Sequence, residues 1–369
     1  MAVSDTQLIF YPKNCLNVKR PYALPCRRCI YLCPHEAISE KTEDTVRKEI
    51  SSAKCTDCGI CMAVCPSDGF VDRNMDDLQT YLFAAGPVIL NCPAARPRGH
   101  EIACLGMFDQ DAWSTLMLLS AEKDVTIITG DCGGCIDRRA CALSVGVFKE
   151  VLSRWPEQHN VKIEIAPDDD SIAPDDGSIA PDDDSIAPDD DSYVRKAPEK
   201  SPRKPSRLRQ LRGRRREQLN SGLPALIAEE TKPIPRTRTW LLEALRPNPA
   251  RKIPCQALRV SEECTGCGLC VRICPQEAIR LDRSDGADRL FYKAVFCVRC
   301  GRCVESCGSK ALTLEYVPLS GAYMEGSILL CAMTPRFCEV CGRQIYHKLE
   351  PGLCLTCAAK DPSLKGILY

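Results

Sequence analysis

The chain has 369 residues, with 49 Lys and Arg balanced by 49 Asp and Glu, 44% hydrophobic residues and 6% aromatics. That length allows two or three domains with real cores, and the few aromatics exclude an extended base-stacking surface. Its 27 cysteines are an odd number, which excludes complete internal disulfide pairing. The first residues lack the basic and apolar regions of a signal peptide, and the apolar stretches at 81–90 and 116–121 fall short of the roughly 18 residues that a membrane span needs. A soluble, cytoplasmic protein whose thiols bind metal is the expectation.

Residues 1–80 carry the first eight cysteines. Cys55, Cys58, Cys61 and Cys65-Pro66 form a C-x2-C-x2-C-x3-C-P run. Such a loop turns three thiolates onto one 4Fe–4S cube and sends the fourth to a second cube, so these runs work in pairs. The partner run reads Cys26-x2-Cys29-x3-Cys33-Pro34, and Ala23 stands where the leading cysteine belongs. Cys15, eleven residues before Cys26, can supply that ligand through a longer loop. The expected sets are Cys15, Cys26, Cys29 and Cys65 for one cluster, and Cys55, Cys58, Cys61 and Cys33 for the other. If Cys15 is a bystander, the first site is a three-thiolate, 3Fe–4S centre.

Residues 81–165 read as a small α/β domain. Strands are expected over 87–91, 125–129 and 161–165, and helices over 111–122 and 137–155, which together suggest a parallel sheet. Cys92 and the segment Gly130-Asp131-Cys132-Gly133-Gly134-Cys135 follow strands and so share the C-terminal sheet edge. Cys104 can reach it from the loop between, while Cys141 is left unassigned. The segments VILNC, ACLGMFD and VTIITGDCGGCIDRRA resemble the iron–sulfur delta subunit of methyl-viologen-reducing hydrogenases. That resemblance implies a 2Fe–2S site, placed on Cys92, Cys104, Cys132 and Cys135. A Cys132/Cys135 dithiol, or a docking domain with buried thiols, are the alternatives.

Four heptads of the type IAPDDDS run from Ile165 to Ser192, and residues 195–216 then carry eleven Lys or Arg. A proline in each heptad forbids a coiled coil, so 166–238 reads as a long disordered linker, with a basic helix as the sharper alternative. A short helix is expected over 239–246.

Residues 239–325 hold two further complete runs. Cys264, Cys267, Cys270 and Cys307 should bind one 4Fe–4S cluster, and Cys297, Cys300, Cys303 and Cys274 the next. After each of the four runs a small and an apolar residue recur at fixed offsets: Ala37-Ile38, Gly69-Phe70, Ala278-Ile279 and Ala311-Leu312. Both ends of the chain resemble bacterial dicluster ferredoxins. The resemblance implies an α+β class with two ferredoxin-like domains, and one-electron transfer between buried clusters. Cys255 and Cys331 stand apart and are read as free.

In the tail, 326–369, Cys338-x2-Cys341 and Cys354-x2-Cys357 present two thiolate pairs, the pattern of a zinc ribbon, with a rubredoxin-like single iron as the alternative. No phosphate-binding glycine loop is present, and the scattered histidines His35, His100, His159 and His347 form no metal motif. The chain therefore reads as wiring without a catalytic site of its own: an electron-transfer subunit of an anaerobic oxidoreductase complex, between a catalytic subunit and a second redox protein or carrier. A redox-sensing regulatory or assembly protein, with the basic segment binding nucleic acid or a partner, is the competing class. Two full dicluster modules exceed what a sensor needs.

Overall fold

The computed structural model describes residues 7–19, 25–42, 46–155, 163–167, 234–348, 350 and 352–361. Ala23, the basic segment and all but the first residues of the heptad repeat lie outside the described residues. Residues 1–169 and 232–369 form one compact unit. Among the described residues no helix is long and apolar enough to cross a membrane.

Each cysteine-rich end repeats one plan. At the N-terminal end, Leu8–Phe10 pairs antiparallel with Phe70–Asp72, and the hairpin Ile38–Thr42/Val46–Ile50 connects the two runs. At the C-terminal end, Lys252–Val260 pairs with Leu312–Ser320, and the hairpin Ile279–Ser284/Ala287–Tyr292 takes the inner place. Asp285 and Gly286 close that hairpin with φ of 55° and 69°, the left-handed pair that a tight two-residue turn requires. A further strand, Ile328–Met333, extends the hairpin. The third cysteine of every run lies in, or just inside, a helix of four or five residues: Arg28–Tyr31, Ile60–Val64, Leu269–Ile273 and Arg302–Glu305.

Between them lies a four-stranded parallel sheet, in the order His100–Glu101, Val88–Asn91, Val125–Thr129, Ile163–Pro167. The helices Gln110–Ser120 and Arg138–Leu152 fall within two or three residues of their expected bounds. The first is capped by Asp109, whose carboxylate accepts from the Ala112 amide at 2.9 Å. The edge strand His100–Glu101 and the helix Met75–Ala84 were not expected from the sequence. Residues 161–162 of the expected third strand lie outside the described residues.

The expected helix over 239–246 is Arg236–Leu245, so it begins within the stretch read as linker. It packs on Gln110–Ser120, and Trp113, Trp240 and Leu241 are buried in one hydrophobic core that runs from Leu8 to Met324. Ion pairs are buried with them. Asp111 Oδ2 accepts from Arg238 Nε and Arg299 Nη2, each at 2.7 Å. Arg238 also donates to the Ala294 carbonyl at 2.8 Å, and Arg299 to Gln110 Oε1 at 2.9 Å. The two guanidiniums hold the Asp111 carboxyl below the usual carboxylate range against the opposing effect of burial. The expected consequence is that Asp111→Asn, which keeps the volume and removes the charge, destabilises the unit by about 3–5 kcal/mol because two buried cations lose their partner. Anaerobic denaturant titration of the full chain checks it, and a loss below about 1 kcal/mol, the scale of an exposed pair, would refute it.

Candidate iron–sulfur and metal centres

The local backbone explains why the run needs its residue types. Three residues after the fourth cysteine the chain turns left-handed in all four copies, at Glu36, Asp68, Glu277 and Lys310, with φ between 48° and 54°. In three copies that turn aims the amide of the following small residue at the cysteine sulfur. Ala37 N reaches Cys33 Sγ at 3.4 Å, Gly69 N reaches Cys65 Sγ at 3.1 Å, and Ala278 N reaches Cys274 Sγ at 3.3 Å. The small residue seen in the sequence is therefore a steric requirement beside sulfur. Left-handed residues also flank the second cysteine in three runs: Asp57 and Gly59, Gly266 and Gly268, Arg299 and Gly301. These turns curl the loop so that its thiols face one point.

Three compact cavities collect the expected sets. Cys264, Cys267, Cys270 and Cys307 line one; Cys274, Cys297, Cys300 and Cys303 line another; and Cys33, Cys55, Cys58 and Cys61 line the third. The fourth set is gathered around Cys29, whose thiol feels Cys65, Cys26 and Cys15. Cys15 reaches it because Asn17, two residues on, clamps the start of the run. Asn17 Nδ2 donates to the Cys26 carbonyl at 2.9 Å, and Cys26 N donates to Asn17 Oδ1 at 2.8 Å. Asn14 Nδ2 is occupied by the Asp68 carbonyl at 3.0 Å.

The donor sets fit an iron–sulfur group. Burial pushes the thiols of Cys29, Cys58 and Cys270 up to about 12, and Cys61 well above its ordinary value, with neighbouring cysteines adding to the shift. Sulfurs crowded this way need a cationic core to be held as thiolates, which are the ligand form.

In the middle domain Cys141 Sγ lies 3.8 Å from Cys132 Sγ, and Cys104 and Cys135 are close enough for their thiols to be influenced by this pair or by each other. Cys92, expected in this set, accepts from the Gly130 amide at 3.2 Å, the kind of amide–sulfur contact that Cys33, Cys65 and Cys274 also make. Cys141 was missed because its spacing from Cys135 belongs to no motif, although it lies in the first turn of the helix that follows the loop. Two other unassigned thiols also have neighbours. Cys255 is buried on Lys252–Val260, opposite Val317, and Cys331 stands opposite Leu290 of the inner hairpin.

The tail brings Cys338, Cys341, Cys354 and Cys357 together, with all four sulfurs within 4.8 Å of one another and Cys341 Sγ 3.6 Å from Cys354 Sγ. A tetrahedral ion with bonds of about 2.3 Å separates its sulfurs by about 3.8 Å. The set is thus sized for one ion and too tight for a cube. The Cys354 amide, with other backbone donors, holds the Cys338 thiol down to about 6. These cysteines sit in a small core of their own with Ile345 and Leu353.

The centres adjoin one another. Arg302, between Cys300 and Cys303, donates to the Leu16 carbonyl and Asn17 Oδ1 at 3.2 Å each. Lys19 Nζ donates to Gln276 Oε1, two residues after Cys274, at 2.5 Å. Within the modules, Cys61 feels Cys29, and Cys303 feels Cys270. At the other end Cys58 feels Cys104, and these two share a hydrophobic patch with Ile60 and Ala140.

A Cβ at Gly69 would stand 3.1 Å from Cys65 Sγ. Gly69→Val should therefore displace that sulfur and remove or convert one cluster of four, read as iron per chain and by EPR. An unchanged cluster content would show that the small residue is dispensable.

A 4Fe–4S dicluster domain model matches the sequence twice, over residues 24–68 and 263–311. No curated protein matches the chain. Cys15 lies just outside the first match, while all eight paired cysteines of the C-terminal module lie within the second. The chain carries two 4Fe–4S dicluster domains, and these support an iron–sulfur electron-transfer role.

Proposed function

We propose that the chain is a single relay of five redox centres, serving as an electron-transfer subunit between a catalytic oxidoreductase subunit and a second redox protein or carrier. When bound, each cluster supplies one reversible electron. Cys15, Cys26, Cys29 and Cys65 hold the first cube, and Cys33, Cys55, Cys58 and Cys61 the second. Cys264, Cys267, Cys270 and Cys307 hold the third, and Cys274, Cys297, Cys300 and Cys303 the fourth. Cys104, Cys132 and Cys135 hold a 2Fe–2S centre, with Cys92 or Cys141 as the fourth ligand.

The observation that carries this reading is the contact between ligand loops. Cys104 of the middle set packs in one patch with Cys58 of the second, Cys61 feels Cys29 of the first, Leu16 beside Cys15 meets Arg302 in the fourth, and Cys303 feels Cys270 of the third. An electron can therefore travel from the middle domain through the second, first and fourth sets to the third. Arg302, Asn17 and Lys19 hold the join between the modules. The tail binds zinc, which staples a segment too small for a core of its own. A cytoplasmic, anaerobic setting suits oxygen-sensitive clusters of this kind.

Anaerobically prepared protein should contain about 18 iron atoms, about 16 in 4Fe–4S form and about two in the middle centre. Spin coupling should appear between paired clusters on reduction. Fewer than about 12 irons after reconstitution would rule out four cubes. Cys15→Ala should turn one cube into a labile 3Fe–4S centre with a new oxidised-state EPR signal, and leave the other three intact. An unchanged spectrum would remove Cys15 from the ligand set.

About one zinc per chain is expected, and it should be lost in the Cys338→Ser, Cys341→Ser double variant. Redox-active iron in that site would replace zinc in this reading.

A further inference from the structure

The tail and the loop that presents Cys264 and Cys267 are joined through a chain of polar contacts. Lys348 Nζ donates to the Glu262 carbonyl and lies 3.8 Å from the Glu263 carboxylate, on the two residues before Cys264. Gln344 Nε2 donates to Asp288 Oδ2 at 3.0 Å. Asp288 is buried on the inner hairpin opposite Arg283, and its carboxylate stands 3.6 Å from Arg283 Nε. Arg283 in turn donates from Nη2 to the Gly266 carbonyl at 2.9 Å, and its guanidinium lies 5.4 Å from the centre of the Tyr346 ring. The loop is thus tied just before Cys264 and again just before Cys267, and both ties run back to the tail.

Such ties matter for this loop. Cys267 is exposed and Leu269 is 42% exposed, so packing covers little of it. Gly266 and Gly268 give it the left-handed turns it needs, but glycine loses the most backbone freedom on being fixed. The tail is itself conditional on metal. Gln344, Tyr346 and Lys348 lie between its two cysteine pairs, and its own core is only Cys338, Ile345, Leu353, Cys354 and Ala358, too little to fold without an ion. We propose that the tail is a metal-dependent strap on the third cluster. Gln344, Tyr346 and Lys348, ordered when the four tail cysteines share an ion, hold the Cys264–Cys267 loop, and loading of the tail thereby governs retention of the cube at the outer end of the relay. By linkage the coupling is reciprocal, so a filled third site also tightens the hold of the tail on its ion. The inference rests on the reading of Cys264 and Cys267 as iron ligands and of the tail as a zinc site.

The test follows anaerobic release of iron from the full chain to bathophenanthroline disulfonate, with EPR and zinc analysis alongside. In the zinc-free variant Cys338→Ser, Cys341→Ser, about four of the roughly 16 cubane irons should leave about fivefold faster or more, and the rest at the wild-type rate. The variant Gln344→Ala, Lys348→Ala keeps all four tail cysteines. It should accelerate the same four irons while zinc stays bound. Wild-type release in both variants would overturn the proposal. Acceleration confined to the cysteine variant would also overturn it, because the contacts would then carry no coupling. So would acceleration of all clusters alike in the Gln344→Ala, Lys348→Ala variant, which would make the tail a general support of the fold. The underlying reading is checked separately: a wild-type chain without zinc, or a Cys264→Ala variant with unchanged cluster content, would remove that reading whatever the release rates show.

Discussion

Three distant segments close on one carboxylate. Asp111 begins a helix of the middle domain, Arg238 belongs to the helix that follows residues 170–231, and Arg299 sits inside a cysteine run of the C-terminal module. Burying three charges costs several kcal/mol per ion, and their attraction repays it only when the geometry and the remaining hydrogen bonds are good. Here Ala294 and Gln110 take up further guanidinium protons. The arrangement is a poor source of raw stability beside an apolar core. Its value is selectivity: one docking of the helix Arg236–Leu245 and of the run around Arg299 satisfies all three charges. That docking makes the middle domain and the C-terminal module parts of one body.

The same economy appears at atomic scale in the cysteine runs. A left-handed residue is costly for any side chain bearing a Cβ, and Asp57, Glu36, Asp68, Glu277, Arg299 and Lys310 all bear one. They persist because each turn converts backbone amides and thiols into a convergent set. Repetition of this strained geometry at equivalent positions in both modules is a stronger mark of internal symmetry than the strand pairing, which any small antiparallel fold could supply.

Much of this was legible in the residues. Spacing alone paired the runs, because the three-plus-one geometry of the loop admits few alternatives, and period-2 and period-3.6 patterns placed the middle helices to within a turn. The small residue after each fourth cysteine was visible, but its reason, contact with sulfur, was not. What escaped most clearly is the Asp111–Arg238–Arg299 cluster, because tertiary packing brings it together across 127 and 188 positions of chain, where no local rule reaches. The parallel sheet does put Cys92 at the expected edge, after Val88–Asn91, and the helix beginning at Arg138 brings Cys141 to within 3.8 Å of Cys132.

The contact between the modules decides what kind of wire this is. Two ferredoxin-like modules on a flexible tether would exchange electrons only in transient encounters, and their rate would depend on tether length. Here Asn17 does two things at once: it closes the long loop that carries Cys15, and it receives Arg302 from the other module. Leu16 and Asn17 are thereby points through which the modules join, so the start of the segment between Cys15 and Cys26, which looks like a defect in the first run, contributes to the contact that holds the two dicluster domains in one body.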